Sequence, residues 1–337
     1  STKEAEEVLE GTYKTEDDPE LTEIMKLILT NCVKITPPKK STPEITVAQL
    51  RGKMKVWREG TTTSPSGRHL GHYKSLFTVI NKSLEAKERK ELKEIQERIA
   101  GCYVAIINYA IRHNYSYNRW KQIANFMIYK EKGNVKIHKL RVIHLYEADY
   151  NFLVGIVWRE AIQHAQQLGK INQGQYGGCP GRDCTSVTYL EELRRDISLL
   201  TRTAYSNFDN DAASCYDRIL MSIASLSGRK YGVHRKVVYV HAATLKEAEY
   251  KLKLSSTASN TSYKHCKKFP IHGTGQGSGN SPMIWCFISS ILFDCHNQKA
   301  HGITSSTPNR DVVVSFSIIG FVDDSTCVTG GGKRMNQ

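Results

Sequence analysis

The sequence predicts an α+β fold, and three stretches carry that prediction. From Leu84 the apolar positions Leu92, Ile95, Ile99, Tyr103, Ile106, Ile107 and Ala110 recur at three- and four-residue steps, the period of an amphipathic helix. Phe126 to Tyr129 and Leu140 to Leu145 read as two short strands joined around a Gly133-Asn134 turn, a basic hairpin. Val312 to Val322 is a β-branched and aromatic run, followed by Thr326 to Thr329 across a tight turn at Asp323 and Asp324.

The other elements follow in chain order. Residues 1–60 begin acidic, with Glu4, Glu6 and Glu7, and turn basic through a Pro37-Pro38-Lys39-Lys40 break, which reads as an extension and linker. The charged face of the long helix is read as solvated. A second helix is expected over Phe152 to Gln166. Gln173 to Asp183, crowded with glycine, must be loop, and helical periodicity returns over Val187 to Leu200. Thr203 to Phe208 is a strand that runs directly into acidic residues. Pro282, a first-turn residue, opens an apolar helix from Met283 to Asp294. The chain shows no internal repeat.

Composition bounds the function. The chain has 337 residues, 40% of them apolar, enough to bury one large core or two smaller ones. Its 47 Lys and Arg against 33 Asp and Glu give a formal charge of +14, a field that attracts polyanions. Such a balance fits nucleic acid and also a membrane surface. Much of the positive charge lies in the first half, ahead of the acidic stretches, as a phosphate-backbone track would require. The nine cysteines have no paired spacing, so a disulfide framework is not expected and a reducing compartment, nucleus or cytoplasm, is. Cys179, Cys184, His265 and Cys266 lack the spacing of a zinc site. The apolar stretch Met283 to Phe293 is shorter than the roughly 20 residues a bilayer span needs. The chain opens on Ser and closes in a Gly-rich basic stretch, which suggests a segment of a longer polypeptide.

Two strand ends deliver carboxylates. The first is Phe208-Asp209-Asn210-Asp211-Ala212-Ala213-Ser214-Cys215-Tyr216-Asp217, the second Phe321-Val322-Asp323-Asp324. Adjacent aspartates repel, and a third nearby acid adds to the repulsion, so a compensating charge is needed. A pair of oxygen-ligated divalent ions about 3.5–4 Å apart would supply it, activating a hydroxyl nucleophile and neutralising a leaving pyrophosphate. Asp323 and Asp324 on their own also fit a plain polar turn. Between the acidic segments stands Gly273-Thr274-Gly275-Gln276-Gly277-Ser278-Gly279-Asn280-Ser281-Pro282, a Gly-rich loop whose amides can approach a nucleotide. It is not a P-loop, because no Gly-Lys-Ser/Thr follows.

In this order, Asp-x-x-x-x-Tyr-Asp, Gly-x-x-Gln-Gly-Ser-x-x-Ser-Pro and Phe-Val-Asp-Asp resemble motifs A, B and C of reverse transcriptases, especially those of non-LTR retrotransposons and group II introns. Upstream, Ser64-Pro65-Ser66-Gly67-Arg68-His69-Leu70-Gly71, Ile128-Tyr129-Lys130 with Leu140-Arg141-Val142-Ile143, and Gln175-Tyr176-Gly177 with Pro180-Gly181-Arg182 resemble segments of the fingers. The resemblance covers about residues 61–330. It implies a right-hand polymerase fold with fingers over 61–200, a palm with a small antiparallel sheet of split βαβ type over 201–337, and no thumb. The implied activity is RNA-directed DNA synthesis from dNTPs on an RNA or DNA template and primer, with two Mg²⁺ ions, replaceable by Mn²⁺, and no membrane.

The resemblance makes Asp211 and Asp323 metal ligands, with Asp324 alongside and the Ala212 carbonyl completing a site. Asp217 would be a structural hydrogen-bonding group and Tyr216 the ring that leaves no room for a 2′-hydroxyl. Lys130 and Arg141 match cations that grip the incoming triphosphate, where negative charge develops, and both also fit generic basic surface. Gln276 and Gly277 would line the nascent base pair. Two departures stand out: Val322 where many relatives have Ala after an aromatic residue, and Gly275 in place of a usual proline, which would make the loop floppier. An RNA-dependent RNA polymerase of the same palm is a competing reading, although it generally has Asp where Tyr216 stands. A domesticated copy that only binds nucleic acid is another.

Overall fold

The computed structural model describes all residues except 1, 37–42, 58–64, 69, 78–82, 135, 256, 269, 301 and 331–337. The first helices are α1 (Lys3–Glu10), α2 (Glu23–Thr30), α3 (Val47–Val56) and α4 (Leu70–Phe77). Thr2, Thr22 and Thr46 cap three of them with side-chain oxygens, and Thr46 forms a reciprocal capping box with Gln49. Residues 1–60, expected as an extension and linker, thus hold helices that join the core through buried Val8, Leu9, Leu50 and Met54. Glu6 meets Arg229 in a two-pronged ion pair, and the Asn108 side chain brackets the Ile45 backbone, donating to its carbonyl and accepting from its N–H, both at 2.9 Å. The sequence pattern suggested a tail because the acidic residues that solvate these helices outnumber the few apolar residues that anchor them. The Pro37–Lys40 break lies outside the described residues.

The expected long helix is α5 (Ala86–Arg112), with Ala100, Val104, Ile107, Ala110 and Ile111 inward. β1 (Gln122–Tyr129) and β2 (Leu140–Leu145) form the basic hairpin, antiparallel with Ile128 opposite Arg141. Next come α6 (Ala148–Gln167), α7 (Cys184–Leu200), β3 (Tyr205–Asp211), α8 (Cys215–Arg218), α9 (Met221–Lys230) and α10 (Arg235–Lys246). The remaining elements are β4 (Glu249–Leu254), β5 (Thr257–Lys264), α11 (Ser281–Lys299), β6 (Ile303–Ser306), β7 (Val313–Phe316), β8 (Ile318–Phe321) and β9 (Asp324–Gly330).

The result is an α+β architecture. α6 and α11 are apolar around most of their circumference and lie deepest, since a helix without a polar face must be surrounded by protein. The core around them takes in Trp120, Tyr150, Trp158, Tyr231 and Phe287. Among the described residues, three small sheets border this body: β2-β1-β4-β5, β3-β9-β8 and β6-β7. The middle one is antiparallel throughout, as expected. In the first, β4 runs parallel to β1, so that sheet is mixed.

Two expectations about the last strands change. The run Val312 to Val322 is not one strand but breaks at Ser317, with β7 pairing to β6 and β8 to β9. A continuous apolar run cannot reveal that its two halves bond to different partners. The turn residues are Val322 and Asp323, because Phe321 already pairs with Asp324. Val322 adopts φ +57°, the left-handed region that a β-branched residue rarely enters.

Candidate functional site

β3 and β9 are in register so that Asp211 faces Asp324, and the Ala212 N–H donates to the Asp323 carbonyl at 3.0 Å. Asp211 and Asp324 are exposed and Asp323 is partly buried. Three acids from two sequence-distant segments therefore share one corner of the antiparallel sheet. Their charges are felt mutually: partial desolvation first, and then the charges of Asp323 and Asp211, hold the Asp324 carboxyl above the usual range. The same cluster reaches Cys215, whose thiol is pushed up to about 11 by burial first and next by Asp323. Asp209 is committed elsewhere, accepting from the Thr326 hydroxyl at 2.8 Å on the neighbouring strand.

The turn carrying Asp323 is held from behind. The Trp285 indole of α11 donates to the Val322 carbonyl. The glycine-crowded loop 173–183 runs beside β8, with Gly320 donating to the Gly174 carbonyl and Tyr176 to the Gly320 carbonyl, both at 2.9 Å. Gln175 within it is fully buried and bonds Ser289 of α11, while Arg182 gathers the carbonyls of Asn172, Gln173 and Gln175. The left-handed Val322 is thus imposed by its neighbours, a pattern typical of functional corners.

The loop 273–282 is wedged instead of floppy, which corrects the expectation drawn from Gly275. Gly273 and Thr274 donate to the carbonyls of Ile219 and Tyr216 at 2.8 and 2.9 Å, and Ser281 Oγ bonds the carbonyls of Thr274 and Gly275. Gly275 stands at φ +78°, where a Cβ would come within 2.3 Å of the Tyr146 hydroxyl. A proline, locked near φ −65°, cannot occupy that geometry. Gly277, at φ +119°, lies against the His144 carbonyl, and the Gln276 carbonyl accepts from His144 N–H at 2.7 Å. The loop therefore ties the β2 strand to the Tyr216 turn.

Tyr216 is half-buried and packs on the core, with burial raising its hydroxyl pKa. Asp217 is exposed at its surface; its carboxyl is raised by partial desolvation and drawn back down by Lys130, which places the hairpin cation near the second acid of the segment. Arg141 is exposed on β2, and no hydrogen bond or ion pair among the described residues joins it to the carboxylates. Of the Ser64–Gly71 segment, Ser66 bonds buried Glu147 at 3.0 Å, whereas Ser64 and His69 lie outside the described residues. Cys179 lies 3.4 Å from Cys286, sulfur to sulfur, and Cys184 and Cys266 are exposed, so the four residues weighed for zinc are not assembled.

Sequence reasoning missed the β4–β5 hairpin. Its Tyr250 and Tyr263 rings stack 5.0 Å apart beside a cavity of about 240 Å³ that also borders Asp217, His144 and Gly275. The alternation in Glu249-Tyr250-Lys251-Leu252-Lys253-Leu254 was the available signal.

Asp211, Asp323 and Asp324 are hard oxygen donors, and the mutual repulsion at Asp324 is what a divalent cation would relieve. Among the described residues no three acidic, His or Cys side chains converge as a preformed set, so a cation would have to draw in the exposed carboxylates. Also among the described residues, no helix is long and apolar enough to cross a membrane. Set against known proteins, the chain matches no family model and no curated protein sequence.

Proposed function

We propose that this chain is the fingers and palm of a reverse transcriptase of the non-LTR retrotransposon or group II intron type, acting in template-directed DNA synthesis. The observation that supports it best is the register placing Asp211 opposite Asp324, with Asp323 bonded to Ala212, at one sheet corner. On this reading residues 61–200 are fingers and 201–337 palm. Asp211, Asp323 and Asp324, with the Ala212 carbonyl, would hold two Mg²⁺ or Mn²⁺ ions. Ions held there would supply Lewis-acid activation of a primer 3′-hydroxyl and charge neutralisation for departing pyrophosphate. The chain's own residues orient the reactants. The Tyr216 ring would leave no room for a 2′-hydroxyl, and Lys130 and Arg141 would supply positive charge toward the triphosphate. The wedged loop holds Gln276 and Gly277 at a fixed height against the nascent base pair.

The test is primer extension on an RNA template with Mg²⁺ and dNTPs, alongside Mn²⁺ binding followed by electron paramagnetic resonance. Asp211→Ala and Asp323→Ala should each abolish extension and weaken Mn²⁺ binding while leaving template binding intact. Full extension in either variant would overturn the site. Template binding with neither extension nor Mn²⁺ uptake in the unsubstituted chain would favour a protein that only binds nucleic acid.

A further inference from the structure

A second cavity, of about 630 Å³, lies between α7, α11 and the strands β7 and β8, and includes none of the three site carboxylates. Arg194 of α7 lines it and is only 4% exposed. Among the described residues this guanidinium has no carboxylate within ion-pair distance and no hydrogen bond, and its Nε is buried without a partner. Its guanidinium lies over the Tyr205 ring, 5.4 Å from the ring centre. An arginine cannot shed its proton, so a buried one without an anion is an uncompensated charge. The ring face offsets only part of that cost.

The surroundings repeat the deficit. Ser317 Oγ, also on the cavity wall, is buried and unpartnered. Lys230 enters from α9, and burial lowers its pKa although the Asp294 carboxylate on the same wall partly offsets the shift. Two acids line the same space, but Asp294 already accepts from the Asn172 amide at 2.7 Å, and neither it nor Glu191 pairs with Arg194. The rest of the wall is mixed: Lys170, Gln173 and Asn297 add polar groups, and Tyr176, Phe316 and Ile318 form an apolar patch. A bare phosphate would leave most of this volume unfilled.

We propose that the cavity binds a small phosphomonoester, its phosphate on Arg194, Lys230 and Ser317 and an apolar or aromatic body against Phe316 and Ile318. Guanidinium recognises the phosphate in two-pronged fashion, and the apolar patch at Phe316 and Ile318 favours an ester over inorganic phosphate. The site is independent of the polymerase reading, because it needs neither the carboxylate corner nor a template.

Isothermal titration calorimetry without divalent metal tests this, with phenyl phosphate, inorganic phosphate and phenol as probes. Phenyl phosphate should bind most tightly, and Arg194→Met should weaken it by about tenfold or more. Lys87→Gln on the exposed face of α5 should leave it unchanged. Equal affinity in wild type and Arg194→Met, or phosphate and phenyl phosphate binding alike, would overturn the proposal. The thermal midpoint of unliganded Arg194→Met supplies an independent readout. It should match or exceed wild type, since the change removes an unpaired buried charge, whereas a fall would show an internal partner for Arg194 and refute the site.

Discussion

Gly275→Ala offers the sharpest test of how the loop 273–282 is built. The new methyl would sit 2.3 Å from the Tyr146 hydroxyl, at a backbone φ of +78°. An L-residue in the left-handed region costs about 1–2 kcal/mol. The Tyr146 ring is 5% exposed and its hydroxyl donates to the Thr274 carbonyl at 3.3 Å, so it cannot simply swing into solvent. Displacing it strands a buried polar group, for about 1–3 kcal/mol more. The expected loss is therefore about 3 kcal/mol, a large share of the roughly 5–15 kcal/mol that holds a protein folded. Urea unfolding followed by circular dichroism would measure it, with Gly52→Ala as the comparison. Gly52 is exposed on α3 with open space at its Cβ position, so alanine there should stabilise by about 0.5–1 kcal/mol. Tyr146→Phe should recover part of the Gly275→Ala loss, because the clash is with the hydroxyl itself. A Gly275→Ala protein as stable as wild type, or one whose deficit ignores Tyr146→Phe, would refute this account of the loop.

Three further outcomes are expected. Burial holds His241 down to about 3 and His144 to about 4, so as pH falls below about 6.5 the unfolded chain takes up protons that the folded one refuses. Stability should drop through that window, by about 2 kcal/mol per histidine at pH 5. His241→Gln should flatten the slope of urea midpoint against pH, and an unchanged slope would discount His241. On the proposed function, Tyr216→Ala should admit ribonucleotides in a primer-extension assay, and unchanged sugar selectivity would remove Tyr216 from that role. Template binding should weaken steeply with salt, and Lys130→Gln and Arg141→Gln should each lower the log–log salt slope by about 1, as measured by fluorescence anisotropy. A flat response would count against a phosphate track.

Much of the fold was legible in the sequence wherever period and burial coincide. α5 and α7 lie where periodicity placed them because each buries one face, while the β1–β2 hairpin and the almost wholly apolar α6 and α11 lie where turn residues and apolar runs placed them. That the two acidic segments share a small antiparallel sheet was expected from the resemblance to reverse transcriptases and not from periodicity. Less legible were the β4–β5 hairpin and the split at Ser317, since a strand's partner is chosen by chain segments far away. What residues 208–217 and 321–324 determined by themselves was the chemistry on offer: hard oxygen donors at strand ends, beside a basic hairpin. Only the tertiary structure decided that Asp324 opens a strand while Val322 turns the corner, and that Gly275 is wedged under Tyr146. It alone left Arg194 buried without an anion, because burial and register emerge from contacts between segments that share no local pattern.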